Sequence, residues 1–158
     1  MTRKITTLMT ILWIGLIAGT LDITDNLIFN QFRGISPIRV FQYIASGLIG
    51  MKSFQLGLAS VALGVLIHYT IALFWTGVFY TASRKFSILV RQPVIYGLLY
   101  GVVVYLVMNF VVLPLSRVPP RPAAVTLPSR INAVLALLLF IGLTISLLTR
   151  RSITRASN

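Results

Sequence analysis

Four long apolar runs, each closed off by basic residues, leave this chain few ways to fold. A helix needs about 20 apolar residues to cross the roughly 30 Å hydrocarbon layer of a bilayer. No water bonds the backbone there, so such a run must close its own hydrogen bonds as a helix. The spacing predicts an all-α, polytopic fold with four membrane-spanning helices at about 5–32, 56–80, 94–115 and 131–149, in one domain covering 1–158. Composition agrees, with 57% hydrophobic residues, 10% charged residues and a mean hydropathy of +0.92, against about 25% charged in a soluble domain. Taken alone, 1–19 has the layout of a signal peptide, with Arg3 and Lys4 ahead of an apolar core and Ala18-Gly19 behind it. The apolar pattern runs on to Phe32, which favours an uncleaved first helix. A shorter helix ending near Leu21 would instead leave the acids that follow it among the headgroups.

Between the runs the sequence changes character. Ser36 suits a helix N-cap and Pro37 a first helical position. The residues that follow, about 38–50, carry Ile38, Val40, Phe41, Ile44, Ala45, Leu48 and Ile49 on one half of the wheel. Arg39, Gln42, Tyr43, Ser46 and Gly50 fill the other half, so a short amphipathic helix lying in the membrane interface is expected, with a re-entrant element tucked against the bundle as the alternative. Pro93 should open the third span and Pro114 help to close it, and 116–130, with four prolines, should be extended. Arg150 and Arg151 should stop the fourth span.

Lys and Arg number 14 against two acids, for a net charge of +12. The cations punctuate the ends of the apolar runs and form no stripe, which points to contact with the bilayer and its anionic headgroups and away from nucleic acid. Eight of them fall on the side of the two termini and six on the other. That bias predicts both termini in the cytoplasm, with the short helix and the proline-rich loop outside.

The two acids, Asp22 and Asp25, lie inside the first run. A carboxylate at mid-membrane costs on the order of 3 kcal/mol on insertion scales, so such groups face a bundle interior or a watery cavity. At 100° per residue Gly15, Gly19, Asp22, Asn26, Asn30 and Arg33 share an arc of about 80°. His68, the lone histidine, stands at the midpoint of the second span, on a face with Gly57, Gly64 and Ala72. Gly97 and Gly101 form a small-xxx-small pair in the third span. Gly19, Gly64, Gly97 and Gly101 are therefore candidate packing positions. With alternating helix directions, Asp22, Asn26, His68, Asn109 and Asn132 fall between the midplane and the outer interface. Asp22, Asp25, Asn26, His68 and Asn109 are the candidate ligand- or proton-binding residues. Lone polar groups in membrane helices also serve as interhelical hydrogen bonds worth about 0.6 kcal/mol each.

Enzymatic chemistry has little to work with. The chain has no cysteine, one histidine and no phosphate-binding glycine loop, so no catalytic centre, metal site or cofactor is expected.

The run Ser36-Pro37-Ile38-Arg39-Val40 with Gln42 and Ile44-Ala45-Ser46-Gly47 resembles a family of short bacterial inner-membrane proteins with four helices. So do Gly19-Thr20-Leu21-Asp22, His68, and Tyr105-Leu106-Val107-Met108-Asn109-Phe110 with Pro114-Leu115. The likeness extends to about Ser116 and implies the fold and the membrane, without an activity. Two functional readings stay open. In one, the polar residues line an outer-half cavity for a proton, a cation or an amphipathic ligand, with a homodimer expected for so thin a bundle. In the other, the chain is an accessory subunit whose small helix faces dock on a larger membrane complex.

Overall fold

The computed structural model describes residues 2–120 and 126–155, with side chains from residue 7 onward. The helices, in chain order, are α1 (Thr2–Phe32), α2 (Pro37–Ile49), α3 (Leu58–Lys85), α4 (Ile88–Arg91), α5 (Pro93–Leu115) and α6 (Leu127–Arg155), with a 3-10 turn over Gly50–Phe54. Four of them, over Thr7–Phe32, Leu58–Lys85, Pro93–Leu115 and Leu127–Arg155, are long and apolar enough to cross a membrane. The fold is all-α and polytopic. Four spans return the chain to the side it started from, so the start of α1 and the end of α6 share one end of the bundle, here the proximal end. The short α2 lies at the distal end.

Each apolar stretch becomes a helix for the reason given above, but the ends move. The second span starts at Leu58 and runs to Lys85, past the expected close near Tyr80. Gly57 takes φ 55° just before it and so lies outside the helix whose face it was expected to share. The fourth span starts at Leu127 and continues to Arg155. Pro128 fits because a first-turn residue needs no N–H partner. Arg150 and Arg151 do not stop the helix, because arginine is a good helix former and its cation reaches headgroups on a long stem; Arg155 is the cation of the last turn. Pro114 likewise sits inside α5. Its ring would strike the carbonyl of Phe110 in a regular helix, and the backbone just before it, Met108–Val112, widens into a π-type turn.

Glycines set how closely the helices approach. On α1, Gly15 and Gly19 face α3: a Cβ on Gly15 would lie 2.6 Å from a methyl of Leu73, and one on Gly19 3.0 Å from Ala72. Gly97 and Gly101 of α5 meet Gly142 of α6 almost backbone to backbone. A Cβ on Gly142 would lie 2.6 Å from the amide nitrogen of Gly101 and would strike the carbonyl oxygen of Gly97. Around Gly142, α6 is itself wound as a π-type turn over Leu137–Leu143, and the Thr144 hydroxyl donates to the carbonyl of Leu139, five residues back, at 3.1 Å. Ser146 adds a buried hydrogen bond across the same pair, donating to the carbonyl of Pro93 at 2.7 Å.

The centre and proximal half of the bundle are filled by Ile14 and Ala18 of α1, Trp75 and Phe79 of α3, Val104 of α5, and Ile141 and Ile145 of α6. Tyr100 ties α5 to α3 there, with its ring edge-on to Trp75 and Phe79 and its hydroxyl donating to the Trp75 carbonyl at 2.6 Å.

The helix α2 begins as its sequence suggests, the Ser36 hydroxyl accepting from the N–H of Arg39 at 3.4 Å and Pro37 in the first turn. It is clasped from two sides. Gly64 of α3 lies directly against the Phe41 backbone, and the N–H of Arg117, after α5, donates to the Gly47 carbonyl at 2.9 Å. Val40 and Ala45 are buried, and so are Gln42 and Ser46 from the half of the wheel expected to face water.

Candidate functional site

The five candidate residues do not converge on one cavity. Two of them sit in different helix interfaces, two bond within their own helices, and Asp22, among the described residues, bonds neither way, a division that follows from helix geometry. His68, half-buried on α3, is 2.8 Å through Nε2 from the carbonyl oxygen of Gly19 on α1. A carbonyl only accepts, so Nε2 carries the proton. The bond needs the close approach that Gly19 allows, and next to it the hydroxyls of Thr20 and Tyr69 meet at 2.9 Å. Asp25 turns the other way, its Oδ2 accepting from the side-chain amide of Asn132 in the first turns of α6 at 2.9 Å. Asn109 donates to the Tyr105 carbonyl of its own helix at 2.9 Å. Asn26, exposed, accepts at both its carbonyl and its Oδ1 from the Asn30 amide, at 2.8 and 3.0 Å.

Asp22 stands between these sets. Gly15 and Gly19 fix the sector of α1 that faces α3, and Asp25 fixes the sector that faces α6. At 100° per residue Asp22 falls between them, within about 40° of Ala18. That sector looks into the bundle. Exposure along it rises toward the distal end: Ala18 is 0% exposed, Asp22 half-buried, Asn26 and Arg33 exposed. Asp22 thus stands one helical turn distal of the fully buried Ala18. Among the described residues Asp22 has no hydrogen-bond partner and no ion pair, and Asp25, one helical turn away, adds a like charge beside it.

The four glycines named as packing positions all lie against other helices of the same chain: Gly19 on α3, Gly64 on α2, and Gly97 and Gly101 on α6. Two further residues matter that the sequence reading did not assign. Asn132 holds Asp25; its only signal was a polar side chain near the start of an apolar helix. Gly142 receives Gly97 and Gly101, and it stands as a lone glycine in a leucine-rich stretch. Among the described residues no three His, Cys, Asp or Glu side chains cluster to hold a metal ion.

No family model, no curated protein and no solved structure matches this chain. The function has to be argued from the site.

Proposed function

We propose that this protein binds a proton or a small cation in the distal interior of its bundle, with Asp22 as the charged group at the floor and Asp25, oriented by Asn132, on the wall. The observation that carries this reading is the state of Asp22: a carboxylate within a spanning helix, turned inward, half-buried one turn distal of the packed core, and without a hydrogen bond or ion pair among the described residues. A charge kept in that position at a cost of about 3 kcal/mol is expected to meet a ligand. The plug of Ile14, Ala18, Trp75, Phe79, Val104, Ile141 and Ile145 beneath it favours binding over conduction. His68 then acts as the pin between α1 and α3, while Asn26 and Asn109, bonded within their own helices, take no part in the site. No residue is assigned a catalytic role.

We place the protein in a bacterial inner membrane, following the resemblance to short four-helix proteins of that membrane, with both termini cytoplasmic and Asp22 in the outer half. A reporter fused after Asn158 should accordingly read as cytoplasmic, and a periplasmic signal would reverse the orientation. On this reading the amphipathic α2 caps the outer interface. Docking on a larger complex through the glycine faces of α3 and α5 has less support, because Gly64, Gly97 and Gly101 are already occupied inside the bundle.

The test compares wild type, Asp22→Asn and Asp25→Asn in lipid nanodiscs, measuring melting temperature against sodium, potassium and tetramethylammonium ions and proton uptake on acidification. Wild type should be stabilised by one of these cations or take up a proton. Asp22→Asn should lose that response while keeping its fold, and Asp25→Asn should keep a weakened one. Equal responses in all three proteins would reject the site.

A further inference from the structure

On the lipid-facing side of α3 an open groove of about 640 Å³ runs along Leu73, Phe74, Gly77, Val78 and Thr81 and ends at Lys85. Its depth comes from Gly77: a Cβ there would find its nearest neighbour, Ile11 of α1, 4.0 Å away, unlike the glycines that other helices press upon. From residue 73 to residue 85 a helix rises about 18 Å, close to the half-thickness of the hydrocarbon layer at about 15 Å. The groove thus covers one leaflet, apolar along its length, with an ammonium group at the headgroup end.

The charge around that end is one-sided. Arg84 and Lys85 close α3, Arg91 closes α4, and Arg150, Arg151 and Arg155 lie on the last turns of α6, which pack against α3 and α4. The chain's two acids, Asp22 and Asp25, lie on the distal half of α1. Neither acidic side chain is at the proximal end to balance its cations. Such a cluster attracts anionic lipid at about 1 kcal/mol per cation near the surface. The geometry points to a specific anionic-phospholipid site, in which one acyl chain lies in the Gly77 groove and the phosphate is held by Lys85, with Arg84 beside it in the same last turn. The site is separate from the Asp22 region and does not depend on the function proposed for it.

The full-length protein, purified in detergent, is examined by native mass spectrometry and thermal melting with phosphatidylglycerol, with phosphatidylcholine, and with glycerol 3-phosphate, which has the headgroup charge but no chain. Wild type should retain one phosphatidylglycerol and melt higher in its presence, with neither effect from phosphatidylcholine or glycerol 3-phosphate. Gly77→Leu, which fills the groove and whose Cβ meets nothing nearer than Ile11 of α1 at 4.0 Å, should lose the retained lipid. Lys85→Gln should bind the two lipids alike. Helical content by circular dichroism checks that each variant folds, and Gly77→Ala provides a milder filling with a partial loss. Retention by Gly77→Leu at the wild-type level would overturn the proposal. So would equal binding of both lipids by wild type, or a glycerol 3-phosphate shift as large as the lipid's.

Discussion

Asp22 and Asp25 differ by one helical turn and by everything they touch. Asp25 accepts a hydrogen bond from Asn132, whereas Asp22 receives none among the described residues. Replacing Asp25 by Leu should therefore lower the melting temperature in detergent, because the Asn132 amide loses its acceptor, a cost of about 1–3 kcal/mol. Asp22→Leu should leave the ligand-free protein equally stable or more so, since it removes an unpaired carboxylate and a like charge beside Asp25. A large loss of stability in Asp22→Leu would mean that the carboxylate is paired after all. The sequence alone made Asp22 the more sensitive of the two, because depth placed it level with His68 and Asn109 and put Asp25 one turn nearer the interface, and nothing in the chain said which polar group each would meet. Depth can be read from position along an apolar run, but the partner depends on which helices become neighbours. That is how Asp25 meets a residue 107 positions away while Asn109 bonds its own helix.

At the scale of helices, the spans were legible because length and apolarity alone decide that a run crosses a bilayer. Their ends were less so. Pro128, Arg150 and Arg151 look like breaks in the sequence, yet the proline is compatible with a first helical turn and the arginines with a continuing helix, and Pro114 is accommodated by a wider turn before it. The pairing of helices was legible on one side only: Gly97 and Gly101 announced a close approach, and Gly142, which receives them, did not. That contact gives a sharp expectation. Even Gly142→Ala would drive a methyl into the backbone of Gly97 and Gly101 and must part the helices, a loss of roughly 1–3 kcal/mol by the usual cost of overpacking. Gly77→Ala, whose methyl meets only Ile11 at an ordinary contact distance of 4.0 Å, should melt within a degree or two of wild type. Equal melting of the two variants would show that α5 and α6 are not held by this contact.

Over the whole molecule, polarity is distributed unevenly from end to end. The distal half holds the two acidic side chains and the Asn132 pairing, while the proximal half holds the aromatic and aliphatic plug and a cluster of cations. Composition could give the +12 charge but not this separation, which needs the antiparallel order of the helices to bring the ends of α3, α4 and α6 together. The plug has one more consequence. With Ile14, Ala18, Val104 and Ile141 packed across the middle, an ion that reaches Asp22 has no apparent way onward and must leave by the door it entered. Vesicles crowded with this protein should hold an imposed proton gradient as long as empty ones, and rapid decay would reveal a route the packing does not show. A cell could carry many copies without leaking its energy supply, and each copy would sample the composition of one compartment only.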